Sequence, residues 1–324
     1  MWNKFTILNY SQLKKNKKKY INNNSLLYKK IKLHLDNFKN FNDINFKIKH
    51  QKINNKKLSK MIDSKWVYNE VKFKLIDLDT EYLISWNNNK IYLKCTREKF
   101  TKISERLSYL IRMINYIKGN NTEDLEIYLV LSLLKKKIDN TKNITPKNIN
   151  SGYTYITNIY KYIFIWREEE FEKVLFHELV HYFNCDHREE TYSYYTNYDA
   201  LFEAITDFKA IIYNLVYISY ITKCKLDKLI NYEFSFIVNQ GIMINNLLNK
   251  NIKLSSPAFS YFVLKTMLLH YCVSNEFTEN NYTDLFIHNR NFNEIIKNLK
   301  DRFIINENYF FNFNSCRMTF FELE

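Results

Sequence analysis

The chain has 324 residues, which is long enough to bury a substantial core as one large domain or as two subdomains around a cleft. Its composition is rich in Lys, Asn, Ile, Tyr and Phe but includes only three glycines and two prolines, a bias typical of AT-rich genomes. The five cysteines are scattered without a CxxC motif. They therefore indicate neither a disulfide framework nor a cysteine-based zinc site, and a reducing compartment fits best.

The positive charge of the chain is concentrated at its beginning. The formal net charge is +14, and all of this excess lies in residues 1–60, which contain 16 lysines, two acidic residues and no arginine. A basic arm of this kind can bind nucleic acid, anionic lipid or an acidic partner surface. The simpler interpretation is a solvated, lysine-rich leader, which we favour because the absence of arginine weakens the case for specific phosphate recognition.

The sequence shows no secretory signal, because its first residues lack a continuous apolar run. The longest apolar stretch, from Ala210 to Ile221, is interrupted by Asn214 and is too short to span a bilayer, so we expect it to form a buried helix. These features predict an intracellular, cytoplasmic protein without a transmembrane segment. If the composition reflects a large DNA virus, packaging in the virion is the alternative location.

The first half of the chain contains the signals of a small sheet. Strands rich in β-branched and aromatic residues are expected at 81–86, 90–95, 125–133, 153–157 and 160–166. The first two flank an asparagine-rich turn and predict a β-hairpin. An amphipathic helix is expected at 102–117, ended by Gly119.

Two histidines four residues apart, His177 and His181, follow the last of these strands. Positions i and i+4 of an α-helix lie on the same face, so both imidazoles can reach one cation. Glu178 is rotated about 100° around the helix axis from His177 and can lie beside the metal as a general base. The apolar residues around this HExxH motif recur at helical spacing. The alternative interpretation is a helix with two histidines that bind no metal.

A second pair of side chains begins twenty-two residues beyond His181. Glu203 and Asp207 are four residues apart on a predicted helix, so both carboxylates point the same way. One can bind a metal, and the other can accept a hydrogen bond from a ligand imidazole and so fix its tautomer. A catalytic zinc site needs a third protein ligand of this kind, because its fourth position stays open for water.

The joint pattern, HExxH followed by ExxxD on a second helix, resembles the gluzincin metallopeptidases, the thermolysin-like clan. The resemblance covers residues 150–210, while the flanking parts of the chain match only in layout. It implies one zinc ion per chain, held by His177, His181 and Glu203. It also implies that Asp207 is the hydrogen-bond partner of a ligand histidine.

The same resemblance implies how the substrate and the transition state are held. In gluzincins the strand at the sheet edge before the zinc helix pairs with an extended peptide, which here indicates Tyr153 and Tyr155 as substrate-binding residues. The oxyanion needs a donor, usually from the C-terminal subdomain in this clan. Tyr261 is the first candidate and His270 the alternative, although simple packing is the alternative role for both. Arg317 is a further candidate for contact with the oxyanion or with a substrate carboxylate.

The expected fold class is α+β, with a small mixed sheet and helices in an N-terminal subdomain, a mostly helical C-terminal subdomain, and a zinc cleft between them. We expect a basic region at 1–60, a catalytic subdomain at 61–185 that ends in the HExxH helix, and a helical subdomain at 186–324 that carries the third zinc ligand. Helices are expected in the last of these near 202–222, 226–249, 258–273 and 291–300.

The expected function is hydrolysis of a peptide or protein substrate by a zinc-activated water, with Glu178 as general base. Two other functions stay open. One is a zinc-binding structural or scaffold protein without turnover, against which the intact Glu178 argues. The other is a nucleic-acid-associated factor that uses the basic N-terminal region. The sequence leaves open the substrate, the choice between endopeptidase and exopeptidase action, and the oligomeric state.

Overall fold

The structure is a computed structural model that describes residues 2–16, 19–74, 78–137, 143–186, 199–248, 253–254, 258–274, 277–280 and 316–324. Its contacts divide the chain into two compact units. The sheet unit comprises residues 40–136 and 150–183, and the helical unit comprises residues 1–39, 137–149 and 184–324. The chain therefore enters and leaves the sheet unit twice, whereas the sequence suggests successive domains divided after residues 60 and 185.

The sheet unit contains a six-stranded mixed sheet in the order β1-β2-β3-β4-β7-β6. Its strands are β1 (Lys47–His50), β2 (Thr80–Trp86), β3 (Asn89–Cys95), β4 (Glu126–Ser132), β6 (Gly152–Ile156) and β7 (Lys161–Arg167). The central strands β3, β4 and β7 run parallel, and the pairs β1–β2, β2–β3 and β6–β7 are antiparallel. Of the strands that the structure describes, β1 and β6 are thus the two edges of this sheet.

The predicted hairpin is confirmed as β2 and β3. Trp86 and Asn89 are the last paired residues, so Asn87 and Asn88 form a two-residue turn. Asn87 has a φ of 46°, a left-handed conformation that asparagine tolerates better than most residues. The Asn89 side-chain oxygen then accepts a hydrogen bond of 3.2 Å from the backbone N–H of Leu125, which fixes the start of the parallel neighbour β4.

Two helices, α5 (Arg97–Ser104) and α6 (Leu107–Lys118), connect the parallel strands β3 and β4. The prediction of one helix at 102–117 is therefore wrong, because Arg106 leaves the helical conformation with a φ of −122°. At this break the buried Arg106 donates to Glu172 (2.8 Å) and to the Lys102 carbonyl (3.2 Å). Apolar periodicity does not reveal such a polar contact. The predicted end at Gly119 is confirmed, with a φ of 55°.

Different helices cover the two faces of the sheet. α8 (Phe171–Tyr182) packs on β6 and β7 from one side. On the other side, α3 (Asn55–Ile62) and α4 (Asn69–Lys74) contribute to an apolar cluster with the strand aromatics Tyr128, Tyr153, Tyr162, Phe164 and Trp166. Because strand residues alternate between faces, Thr154 points to the α8 side while its neighbour Tyr153 points to the α3 side.

The helical unit is formed mainly by long helices. Its elements are α1 (Lys4–Asn16), α2 (Leu26–Lys39), α7 (Pro146–Ile149), α9 (Asp199–Thr222), α10 (Leu226–Leu248), a π-helix (Phe259–Leu264), α11 (Lys265–Val273) and the short parallel strands β5 (Asn143–Ile144) and β8 (Lys253–Leu254). α9 packs against α2, α10, α11 and the π-helix. The apolar stretch from Ala210 to Ile221 lies within α9 and is largely buried, as predicted.

The two ends of the chain pair with each other inside the helical unit. Trp2 and Leu323 form an antiparallel bridge, and the backbone N–H of Asn3 donates to the Glu322 carbonyl at 3.0 Å. The first part of the basic region is thus a folded component of this unit and not a solvated leader. Its helices α1 and α2 bury the apolar residues Leu13, Leu27, Ile31, Leu35 and Phe38.

The structure confirms a mixed α/β fold with a six-stranded open sheet, accompanied by eleven α-helices among the described residues. The helix predicted at 291–300 lies outside the described residues. None of the described helices is both long enough and apolar enough to cross a lipid bilayer.

Candidate metal and catalytic site

The start of α8 is fixed by buried ion pairs. Glu170, the residue before the helix, has a φ of 57°, and its carboxylate lies 2.8 Å from Nζ of Lys136 with both side chains fully buried. Glu169 accepts a hydrogen bond of 2.6 Å from the backbone N–H of Lys136. Glu172, in the first turn, pairs with Arg106 at 2.7 Å. Carboxylates also interact favourably with the positive end of a helix dipole. These contacts define where α8 begins and hence which way its later side chains point.

His177 and His181 converge as their spacing predicts. Their Nε2 atoms are 3.1 Å apart, and their rings meet edge-on with centroids separated by 4.7 Å. Two nitrogens, each about 2.0–2.1 Å from a tetrahedral zinc, would be about 3.3 Å apart. The pair therefore has nearly the separation that a shared metal ion requires. The same distance also suits a hydrogen bond between a protonated and an unprotonated ring nitrogen.

The carboxylate of Glu178 is held by the edge strand β6. The Thr154 hydroxyl lies 2.8 Å from Oε2 of Glu178 and 2.9 Å from its backbone carbonyl oxygen. A hydroxyl has one proton, so it donates to one of these oxygens at a time. Thr154 was not among the residues predicted from the sequence. The two-residue period of a strand could have identified it, because that period places Thr154 on the face opposite Tyr153 and Tyr155.

The two tyrosines predicted to bind substrate lie on the side of the sheet away from α8. Tyr153 is buried, and its hydroxyl donates to the Met61 carbonyl at 3.0 Å and lies 3.1 Å from the Tyr162 hydroxyl. Burial raises the pKa of Tyr153 well above its usual range. Tyr155 is 43% exposed and stacks on Tyr162 at 5.0 Å. These contacts give Tyr153 a packing role, and substrate binding by either tyrosine stays a prediction.

Glu203 belongs to the helical unit, on α9. The Tyr261 hydroxyl donates to its Oε2 at 3.0 Å. Tyr261 is buried and lies on the π-helix, a conformation that is rare in proteins and is frequently found at functional sites. The predicted third ligand and the first candidate for the oxyanion donor are thus in direct contact, which the sequence did not predict.

Asp207, one turn beyond Glu203, is fully buried. Its Oδ2 lies 2.6 Å from Nζ of Lys265, which is also fully buried and donates to the Met318 carbonyl at 3.1 Å. Lys265 was not among the residues predicted from the sequence. The sequence did contain one indication of this contact: Tyr261 and Lys265 are four residues apart, as are Glu203 and Asp207, so each pair lies on one face of its predicted helix. The hydrogen bond predicted between Asp207 and a ligand histidine stays a prediction.

The remaining candidates, His270 and Arg317, have structural contacts within the helical unit. The His270 ring meets Tyr20 edge-on at 6.5 Å. Arg317 is buried, forms an ion pair with Glu322, and places its guanidinium over the Phe5 ring at 4.4 Å from the centroid. Their proposed contacts with the oxyanion or the substrate stay predictions.

Comparison of the chain with protein-family models, with curated proteins and with solved structures gives no match. The functional interpretation therefore depends on the residues themselves. His177, Glu178 and His181 belong to the sheet unit, and Glu203, Asp207 and Tyr261 belong to the helical unit.

Proposed function

We propose that this protein is a zinc-dependent peptidase in which His177, His181 and Glu203 bind one zinc ion and Glu178 is the general base. The observation that carries the proposal is the buried histidine pair of α8, with Nε2 atoms 3.1 Å apart and a glutamate directly after the first histidine. Two imidazoles and one carboxylate form a ligand set of catalytic zinc sites and leave the fourth position open.

The proposed chemistry assigns a role to each side chain. When bound, zinc lowers the pKa of water to about 7 and polarises the substrate carbonyl. Glu178 accepts the proton of the attacking water and passes it to the leaving amine. The Thr154 hydroxyl orients the Glu178 carboxylate through its 2.8 Å hydrogen bond. Tyr261 supplies the donor that stabilises the oxyanion.

The Thr154–Glu178 contact is also what favours a peptidase over a zinc-binding scaffold. A scaffold needs the ligands but has no need of a carboxylate beside them that a neighbouring strand keeps oriented. Glu178 is buried, and the hydrogen bond from Thr154 offsets part of the cost of burying its carboxylate while holding it in one orientation.

The metal part of the proposal is tested by zinc stoichiometry. We expect the purified protein to contain about one zinc per chain by elemental analysis, and His177→Ala and Glu203→Ala each to lose it. His50→Ala is the control, because His50 is an exposed histidine on β1. Full zinc occupancy in the Glu203 variant would reject Glu203 as the third ligand.

The catalytic part is tested by Glu178→Gln, which keeps the size of the side chain and removes the base. We expect this variant to retain zinc and fold but to hydrolyse quenched-fluorescent peptides several orders of magnitude more slowly. Glu98→Gln, on the exposed surface of α5, is the matched control. Turnover near the wild-type rate would contradict the mechanism. Zinc binding without turnover by the wild-type protein would favour the scaffold function.

A further inference from the structure

The sheet unit contains a cavity of about 690 Å³ that the proposed mechanism does not use. It lies beside α3, on the face of the sheet opposite α8. Its lining includes three lysines of α3 and three tyrosines of the β6–β7 hairpin, namely Lys56, Lys57, Lys60, Tyr155, Tyr160 and Tyr162. We call this space the lysine cavity.

The lysine cavity carries a small excess of positive charge. Nζ of Lys57 lies 2.8 Å from the Glu126 carboxylate and 4.6 Å from the centroid of the Tyr160 ring, so this lysine is fixed in place and largely neutralised. Lys56 and Lys60 are exposed and four residues apart, and hence lie on the same side of α3. Two carboxylates balance part of this positive charge. One is that of Glu126, which pairs with Lys57, and the other is that of Asp63, which lines the cavity. Lys56 and Lys60 are therefore the cations that can reach a ligand.

The strand beside the cavity, β6, has a backbone edge turned away from the sheet. Hydrogen bonds from Trp166 to the Ser151 carbonyl and from Thr157 to the Tyr160 carbonyl show that odd-numbered residues pair with β7. The backbone groups of the alternate residues of β6 therefore point to the outer edge. No strand among the described residues pairs with that edge. Such an edge is a template to which an extended peptide can add as a further strand.

A peptide added to β6 would contact both faces of the sheet. Side chains of neighbouring strands alternate in step, so a peptide residue beside Thr154 would point towards α8 and Glu178. The peptide residue beside Tyr155 would point to the other face, where Tyr155 lines the lysine cavity. One bound peptide can thus place one side chain near the proposed base and the next near the lysines.

We propose that the lysine cavity accepts an acidic side chain of an extended peptide that binds along β6. The carboxylate would interact with Lys56 and Lys60, and the tyrosine rings would pack against its methylene groups. This inference rests on the proposed peptidase function and adds to it a preference for Asp or Glu in the substrate. A polynucleotide fits less well, because no arginine is among the described residues that line the cavity and because a phosphodiester backbone has no N–H groups to pair with β6.

The test measures binding separately from hydrolysis. The full-length Glu178→Gln variant is titrated into fluorescent peptides that differ only at one central residue, Glu, Gln or Lys, and the Kd is measured by fluorescence anisotropy. We expect the Glu peptide to bind about two- to fivefold more tightly than the Gln peptide for each exposed ion pair formed. The Lys peptide should bind most weakly, and added salt should reduce the differences.

Two double variants and one matched control test whether the preference for the Glu peptide depends on Lys56 and Lys60. Lys56→Gln with Lys60→Gln should abolish it, and Lys56→Glu with Lys60→Glu should reverse it in favour of the Lys peptide. Lys47→Gln with Lys49→Gln removes the same charge from β1, the opposite edge of the same sheet, and should leave the preference unchanged.

Equal affinity for the three peptides, or a preference that survives in the Lys56/Lys60 variants, would overturn the inference. The same proteins are also titrated with a fluorescent single-stranded oligonucleotide. If the Lys56/Lys60 substitutions weaken oligonucleotide binding but not peptide binding, the cavity is a nucleic-acid site and the inference is overturned. Peptide hydrolysis by the wild-type protein is assayed in parallel. A charge preference without hydrolysis would contradict the peptidase proposal alone, whereas hydrolysis without a preference would contradict only the cavity inference.

Discussion

The Thr154 hydroxyl connects the edge strand β6 to the glutamate of the HExxH motif. Its oxygen lies 2.8 Å from Oε2 of Glu178, so strand and helix are joined at the proposed base. A hydrogen bond to a charged group typically contributes about 1.5–3 kcal/mol. In the proposed mechanism, Thr154 would therefore connect a peptide bound along β6 to Glu178.

Replacing Thr154 with valine removes this hydrogen bond with little change in volume. We expect Thr154→Val to lower kcat about 10–100-fold with zinc content unchanged, because Glu178 loses the donor that orients it. Thr154→Ser keeps a hydroxyl and should retain most of the activity. Equal kcat values for the valine variant and the wild-type protein would show that Glu178 is oriented by other contacts.

Tyr261 contacts Glu203 and is also the proposed donor to the oxyanion. Its hydroxyl donates to Oε2 of Glu203 at 3.0 Å. We expect Tyr261→Phe to weaken zinc affinity about tenfold, since partners that orient a metal ligand typically contribute 10–100-fold. With zinc saturating, kcat should fall roughly 10²–10³-fold and KM should change little. A loss of zinc affinity with normal kcat would assign Tyr261 to the ligand alone and move the oxyanion role to His270 or another tyrosine.

Within the helical unit, two side-chain contacts, one turn apart, hold α9 against the neighbouring helices. Glu203 and Asp207 on α9 meet Tyr261 of the π-helix and Lys265, the first residue of α11. The Asp207–Lys265 ion pair is fully buried, and removing one partner of such a pair leaves an uncompensated charge that costs about 3–5 kcal/mol. Replacement of Asp207 by alanine will therefore disturb folding as well as any contact with a zinc ligand.

Gly241 allows α10 to approach the π-helix and α11 closely. A Cβ atom at this position would lie 2.2 Å from Oγ1 of Thr266 and 3.0 Å from the Phe262 carbonyl oxygen. We expect Gly241→Ala to lower the free energy of unfolding in urea by about 1–3 kcal/mol, because overpacking outweighs the gain of about 1 kcal/mol in helix propensity.

A second variant removes Oγ1 of Thr266, the nearest of the atoms that the new methyl group would meet. Thr266→Ala removes Oγ1, so the double variant Gly241→Ala with Thr266→Ala should lose less stability than the sum of the single variants. Additive losses, or a Gly241→Ala protein as stable as the wild type, would show that the helices separate at little cost.

At the scale of the whole molecule, the helical unit is closed by the last residues of the chain. The buried carboxylate of Glu233 on α10 accepts hydrogen bonds from the Thr319 hydroxyl (3.0 Å) and the Phe320 backbone N–H (3.1 Å). The Thr6 hydroxyl of α1 donates to the Phe320 carbonyl at 2.9 Å. Residues 316–323 are buried. The core of this unit thus includes both chain ends, and truncation at either end would expose it.

The pH dependence of folding should reflect His34 on α2. Burial and the nearby positive charge of Lys30 lower the pKa of His34 from 6.5 to about 4. The unfolded chain then binds a proton more readily than the folded protein. The contribution of this group to stability is therefore full above about pH 6.5 and is lost as the pH falls towards 4.

We expect His34→Phe, which keeps the ring contact with Tyr213, to flatten this dependence. Relative to the wild type, the variant should gain about 1–3 kcal/mol in the free energy of unfolding between pH 7 and pH 4. His50→Phe, at an exposed histidine on β1, is the control. A difference between His34→Phe and the wild type that stays constant with pH would contradict this assignment.

Much of the fold and part of the candidate site could be predicted from the sequence, because those features depend on neighbours a few residues apart. The convergence of His177 and His181 follows from helical geometry alone. The β2–β3 hairpin follows from its asparagine turn and alternating apolar residues. The break at Arg106 escaped prediction because its buried partner, Glu172, lies 66 residues away.

The sequence by itself determined the helix that carries the HExxH motif, the two strands before it and the long helices that follow it. Only the tertiary structure decided that Thr154 holds Glu178, that Tyr261 donates to Glu203 and that Lys265 pairs with Asp207. The reason is physical. Helical and strand periods are set by local backbone geometry, whereas a hydrogen bond across 24 or 58 residues exists only after distant elements have packed. Burial then makes such contacts specific, because a buried polar group must find a partner.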